Sequence, residues 1–167
     1  MRMITFMIVW GVAVMITPIT THAEVKVSFS QPEGYTDAGL YGAYGPKARA
    51  ATLHELQKHL ERLGERYLKP EQMLTIDVRD IDLAGWYEPW RINTHNTRVL
   101  REITWPQIRI YYTLERNNTT LISAEETISD LNYLMRADTI RSSDPLRYEK
   151  AMLDEWFRVR FVDRQPA

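Results

Sequence analysis

The chain has 167 residues, with 21 lysines and arginines against 22 aspartates and glutamates, a formal charge of −1 at pH 7 and no cysteine. That near-neutral balance argues against nucleic acid or an anionic membrane as a partner, since either would call for a strongly basic surface. With no cysteine there is no disulfide framework and no lipid-anchored N-terminus, so the hydrophobic core alone has to hold the fold.

In chain order, Arg2, the apolar run from Ile4 to Ile16, Pro18 and the ending Thr21-His22-Ala23 come first. They read as a cleavable secretory signal peptide over residues 1–23: a basic start, an apolar stretch too short to span a bilayer, and a small residue where signal peptidase cuts. Cleavage is expected after Ala23, which places the protein in a bacterial periplasm. Removing 23 of 167 residues leaves 144, from Glu24 to Ala167, which suits a single domain able to bury roughly two thirds of its unfolded surface. Arg2 is the leader's one charged side chain, so 20 basic and 22 acidic residues remain, a net charge of −2. No second apolar run of spanning length follows, so no membrane span is expected after the leader is removed.

Val25, Val27 and Phe29 alternate with Lys26, Ser28 and Ser30, the period of a half-buried strand. From Gln31 to Pro46 glycines interleave with Tyr35, Tyr41 and Tyr44 without either period, predicting an irregular surface loop. Leu53, Leu56, Leu60 and Leu63 then recur at spacings of three and four, which predicts an amphipathic helix from Lys47 to about Tyr67, ended by Pro70. Leu74, Ile76 and Val78 mark a second strand, and the apolar parity flips at Ile81 and Leu83. A bulge near Arg79-Asp80 reconciles the two halves. Gly85 to Asn96 is a second loop, carrying Trp86, Tyr87, Pro89 and Trp90.

Arg98 to Trp105 and Gln107 to Arg116 read as two more strands, broken at Pro106. Asn117-Asn118 turns the chain into a fifth strand from Thr119 to about Ile128, a turn that also explains the overlapping Asn-x-Thr sequons there. The chain ends in a second helix, with Asp144 as cap, Pro145 at its first position, and Leu146, Leu153, Trp156 and Phe157 on one face. The expected fold is therefore α+β: a mainly antiparallel sheet of about five strands packed by two helices, in the order β-α-β-β-β-β-α.

Five segments carry a family resemblance: Tyr35-Thr36-Asp37, Asp80-Ile81-Asp82-Leu83-Ala84-Gly85, Trp105-Pro106 with Ile108, Ser129-Asp130-Leu131-Asn132-Tyr133, and the run from Tyr148 to Phe157. In this combination and order the chain resembles a bacterial domain-of-unknown-function family of small exported proteins. The resemblance implies a periplasmic protein and supplies neither an activity nor catalytic residues.

Few residue patterns point to chemistry. His54-Glu55-Leu56-Gln57-Lys58-His59 is one residue longer than the zinc motif H-E-x-x-H. Histidines five apart lie about 140° apart on a helix, against about 40° for four, so they cannot chelate one ion from one face. Neither a metal nor a cofactor is expected. Asp77, Asp80 and Asp82 form the densest carboxylate cluster. Pairing and capping at a strand end account for it better than a cation site does, because the glycine turn and closing glutamate of a calcium loop are missing. Paired-carboxylate chemistry would draw on Asp80 or Asp82 with Asp130, Glu149 or Asp154. No nucleophile elbow, phosphate loop or dinucleotide fingerprint occurs.

The more suggestive feature is aromatic loops: Tyr35, Tyr41 and Tyr44 in one, and Trp86, Tyr87 and Trp90 in the other. Such rings can stack on a sugar or clamp a peptide, or they can fold back as lids over the sheet. The expected function is a non-enzymatic binding or accessory module that meets an envelope protein, peptide or glycan through these loops or an open sheet face. The alternatives are an envelope hydrolase using the Asp80/Asp82 region, and a structural or stress-related protein without a ligand.

Overall fold

The computed structural model describes residues 23–40, 45–88 and 98–163. The predicted leader up to His22, together with Tyr41, Tyr44 and Trp90, lies outside the described residues. The elements are β1 (Glu24–Phe29), α1 (Pro46–Tyr67), β2 (Gln72–Asp82), β3 (Trp86–Tyr87), β4 (Arg98–Val99), β5 (Gln107–Arg116), β6 (Thr119–Ser129), α2 (Ala137–Ile140) and α3 (Arg147–Arg158). Single 3-10 turns form at Pro32–Gly34 and Tyr133–Met135, and a π turn at Val159–Asp163 extends α3.

The fold is α+β, as expected. Four strands form one mixed sheet in the order β1-β2-β5-β6, and β3 and β4 form a separate two-stranded ribbon. The β1–β2 pair is parallel, because a 22-residue helix carries the chain back across the sheet between them. The other two pairings are antiparallel. The parity flip in β2 is a register shift between Val78 and Asp80, the bulge that keeps Val78 and Ile81 both on the core face. At the β5–β6 turn Asn117 and Asn118 adopt φ of 49° and 63°, the left-handed pair that tight hairpins require and asparagine tolerates.

The run from Arg98 to Trp105 does not form one long strand. Only Arg98–Val99 pairs, and it pairs with β3 in the ribbon rather than in the main sheet. Beyond it the Thr104 hydroxyl accepts from the Arg101 amide and donates to the Arg101 carbonyl, both at 3.0 Å, and this local side-chain pairing closes a turn in place of a ladder. That is why the sheet has four strands instead of five. A second difference lies at the last helix, where Asp144 Oδ1 accepts from the Leu146 amide at 2.8 Å and α3 begins one residue later. Asp144 thus caps the turn that holds Pro145, while α3 itself has Leu146 as its N-cap and no side-chain cap.

One sheet face is covered. Leu74, Ile76, Val78 and Ile81 of β2 with Ile108, Ile110, Tyr112 and Leu114 of β5 pack against Leu56, Leu60 and Leu63 of α1 and Met152, Leu153, Trp156 and Phe157 of α3. Tyr112 meets Trp156 edge-on at 5.4 Å between centroids, a geometry that adds to area burial. The opposite face is polar and solvated: Thr75, Arg109, Tyr111, Ser123, Glu125 and Thr127 are exposed on it. Among the described residues no helix is long and apolar enough to cross a membrane.

Candidate functional site

Where β2 ends, the chain runs through Leu83 and Ala84 to Gly85, whose φ of 77° is the left-handed conformation. A Cβ there would sit 2.8 Å from both Leu100 Cδ2 and the Val99 carbonyl, so glycine is required both by the turn and by the close approach of β4. This turn delivers Arg98 into a nest of acceptors. Its Nε donates to the Ala84 carbonyl at 2.9 Å and its Nη1 to the Gly39 carbonyl at 3.1 Å. Nη2 reaches Asp37 Oδ2 at 2.8 Å, the Leu83 carbonyl at 3.0 Å and the Gly85 carbonyl at 2.5 Å. The guanidinium also stacks 5.0 Å from the Tyr87 ring centroid, a favourable cation–π geometry. One arginine therefore ties the 37–40 segment, the end of β2 and the ribbon together.

Against this hub packs the first turn of α3. Glu149 is buried, and its Oε1 accepts from the Ala84 amide at 2.7 Å. Its Oε2 has no hydrogen-bond partner outside its own residue among the described residues. Burial holds the carboxyl above the usual glutamate range, opposed by the Ala84 and Glu149 amides and by the nearby charges of Arg98 and Arg147. The neighbouring Tyr148 meets Tyr133 edge-on at 4.9 Å, and the Tyr133 hydroxyl donates to the Arg101 carbonyl at 2.8 Å. Arg147 lies over the Tyr148 ring at 4.5 Å. Between these groups is a cleft of about 220 Å³, with Leu40, Leu83, Leu100 and Tyr87 as apolar lining and Arg98, Arg147 and Glu149 as charged lining.

The carboxylates singled out from sequence lie elsewhere. Asp80 accepts from the Thr36 amide at 2.8 Å, the Thr36 hydroxyl at 2.9 Å and the Ile81 amide at 2.9 Å, a strand-end cap. Asp77 accepts from the Ser30 hydroxyl at 2.7 Å and sits 3.5 Å from Arg79. Asp130 pairs with Arg136 at 2.9 Å and accepts from the Asn132 amide. None of Asp80, Asp82 and Asp130 lines the Glu149 cleft. Asp82 is half-buried, and burial, followed by the charges of Asp37 and Asp80, raises its pKa against the opposing effect of Arg98.

Of the loop aromatics, Trp86 is 53% exposed and Tyr87 is 8% exposed, so consecutive residues of β3 face opposite ways and only Tyr87 reaches the cleft. Tyr35 folds back, donating its hydroxyl to the Val78 carbonyl at 2.6 Å. The two helix histidines diverge: His54 is exposed, while His59 bonds Asp154 at 2.9 Å. Among the described residues no group of three histidine, aspartate or glutamate side chains is placed to hold a metal ion.

Sequence reasoning named Glu149 only as one possible partner for a distant aspartate, and it missed Arg98 and Arg147. A signal for Glu149 was present. It occupies the apolar stripe of Leu146, Leu153 and Trp156 at spacings of three, four and three, and an acid on a buried helix face has to be answered by a specific partner.

A family model described as "Protein of unknown function (DUF3016)" matches residues 23–159. No curated protein and no solved structure matches the chain.

Proposed function

The chain belongs to the DUF3016 family, whose description carries no activity, and we propose from its own geometry that it is a non-enzymatic binding module of the bacterial envelope. In this reading it is exported through the 1–23 leader and takes a small ligand in the Glu149 cleft. The observation that carries the reading is a buried carboxylate with one oxygen unmatched by any other described residue, carried by Glu149, which lines a cleft whose other described lining is apolar or cationic. Such a group costs stability unless something answers it, and sites that retain such a cost are candidates for function. Trp86, exposed beside Tyr87, supplies an aromatic surface next to the cleft for a larger envelope partner such as a protein, peptide or glycan.

The test of ligand binding is a titration of isotope-labelled protein with small-molecule extract of the periplasm, read by amide shifts. Shifts centred on Ala84, Arg98 and Glu149 support the reading, and shifts confined to other surfaces refute it. Export is tested by fractionation and N-terminal sequencing. Recovery in the periplasm with Glu24 first is expected, and a cytoplasmic protein retaining Met1 overturns the localisation.

A second reading, an envelope hydrolase, draws on one observation: the raised pKa of half-buried Asp82 beside Asp37 and Asp80, as befits a general acid. It requires a substrate whose turnover is abolished in Asp82→Asn with the melting temperature unchanged. Turnover that survives this substitution removes Asp82 from the chemistry.

A further inference from the structure

We propose that the Glu149 cleft takes a free apolar α-amino acid, its ammonium group against Glu149, its carboxylate against Arg147 and its side chain over Leu40, Leu83 and Leu100. The inference rests on the cleft being the ligand site, as set out above, and adds the class of ligand.

Size comes first. At about 220 Å³ the cleft falls below the roughly 300–1,000 Å³ that drug-sized ligands occupy, so a metabolite of a few heavy atoms fits it and a folded partner does not. Charge narrows the choice. Arg98 lines the cleft but is engaged by four backbone carbonyls and by Asp37, which removes it as a free cation.

Arg147 differs from Arg98. Its two nitrogens make only long contacts of 3.3 Å, to the Asp144 carbonyl and the Tyr148 hydroxyl. Among the described residues it forms no ion pair, with Glu149 or with any other acid. Among the described residues, Glu149 has no hydrogen-bond partner beyond its own residue except the Ala84 amide. Among its described lining residues the cleft thus holds, besides the engaged Arg98, one acid and one base, two residues apart at the start of α3 and with no ion pair between them.

A purely anionic ligand would leave Glu149 unanswered, and a purely cationic one would leave Arg147 unanswered and be repelled by it. Either outcome buries a charge without compensation, which is costly. A molecule with ammonium and carboxylate on one carbon answers both, and its side chain then meets the leucine wall, where apolar contact is favourable.

The test uses protein expressed from the full chain and purified, titrated by calorimetry and amide shifts with three ligands sharing one branched tail. These are L-leucine, 4-methylpentanoate, which lacks the ammonium, and 3-methylbutylamine, which lacks the carboxylate. L-leucine is expected to bind at least tenfold more tightly than either. Glu149→Gln should lose at least tenfold for leucine and nothing for 4-methylpentanoate. Arg147→Gln should lose at least tenfold for leucine and nothing for 3-methylbutylamine, and it keeps the test alive should the Glu149 variant not fold.

Equal binding of leucine and either half-ligand overturns the proposal, as does tighter binding of leucyl-leucine, which would assign the cleft to a peptide end. Shifts at Ala84 and Arg98 with periplasmic extract but with no amino acid overturn the ligand class and leave the cleft as the site. An absence of shifts with both overturns the two readings together.

Discussion

Replacing Arg98 should cost more stability than any other single exposed or half-exposed charge substitution in the described fold. Its side chain is 12% exposed, and its partner Asp37 is 17% exposed. It donates to four main-chain carbonyls and to that carboxylate. Arg98→Ala removes all five bonds at once and strands the Asp37 charge. Breaking a buried pair from one side costs about 3–5 kcal/mol, and four carbonyl bonds at about 1 kcal/mol each point to the same range. Against a total stability of about 5–15 kcal/mol, that is a large fraction of what holds the fold. Arg98→Lys keeps the charge but has three donors for five acceptors, so at least two bonds are lost and about 2 kcal/mol with them. Urea unfolding monitored by circular dichroism measures both, and amide exchange at Asp37 and Leu83 reports whether the hub opens locally first. An Arg98→Ala cost under about 1 kcal/mol, or an Arg98→Lys variant as stable as the parent, would show that the 37–40 segment and the end of β2 are held by something else.

Two further substitutions probe neighbouring parts of the same framework. Glu149 has a folded-state pKa raised by burial above the ordinary glutamate value of 4.5, so its favourable contribution is complete below the unfolded value and declines as pH rises through the folded one. Glu149→Gln, which keeps an acceptor for the Ala84 amide and cannot ionise, should therefore gain in melting temperature over the parent as pH rises above 4.5. Glu149→Ala should instead lose about 1–3 kcal/mol by leaving that amide unpaired, and a parent-to-Gln gap that does not change with pH would refute the linkage. At the α1–β1 contact, a Cβ on Gly64 would lie 2.0 Å from Val25 Cγ2. Gly64→Ala should thus cost about 1–3 kcal/mol by overpacking, with partial recovery in Gly64→Ala/Val25→Ala, and equal stability of the single variant would show that β1 shifts freely.

Elements whose identity depends on local period were legible. The leucine stripe of α1, the alternation of β1 and β2, the bulge at Val78/Asp80 and the Asn117-Asn118 turn follow from spacing and turn chemistry, because in each case the residues that decide are neighbours in the chain. The ribbon was not legible. Arg98 to Trp105 carries strand-like residues, but whether a short apolar run joins a sheet depends on an available edge and on side chains competing for its amides, and Thr104 took that role here.

The site was harder to see for a related reason. Arg98 is recognisable as a hub only through its acceptors, four of which are backbone carbonyls, at Gly39, Leu83, Ala84 and Gly85. A carbonyl has no sequence signature, since every residue carries one. What brings these four to one point is the isolated parallel bridge of Asp37 to Asp82 and the left-handed turn at Gly85, and only the second of these depends on a residue type. The aspartates of the 77–82 run drew attention because carboxylates are conspicuous in sequence, yet at Asp77 and Asp80 the nearby hydroxyls and amides already satisfy them. Glu149 stands apart because its environment is apolar on one side and only half-satisfied on the other. An acid on a helix stripe otherwise made of Leu146, Leu153 and Trp156 therefore says more about where a buried charge is left half-satisfied than a dense acidic cluster on a solvated strand end.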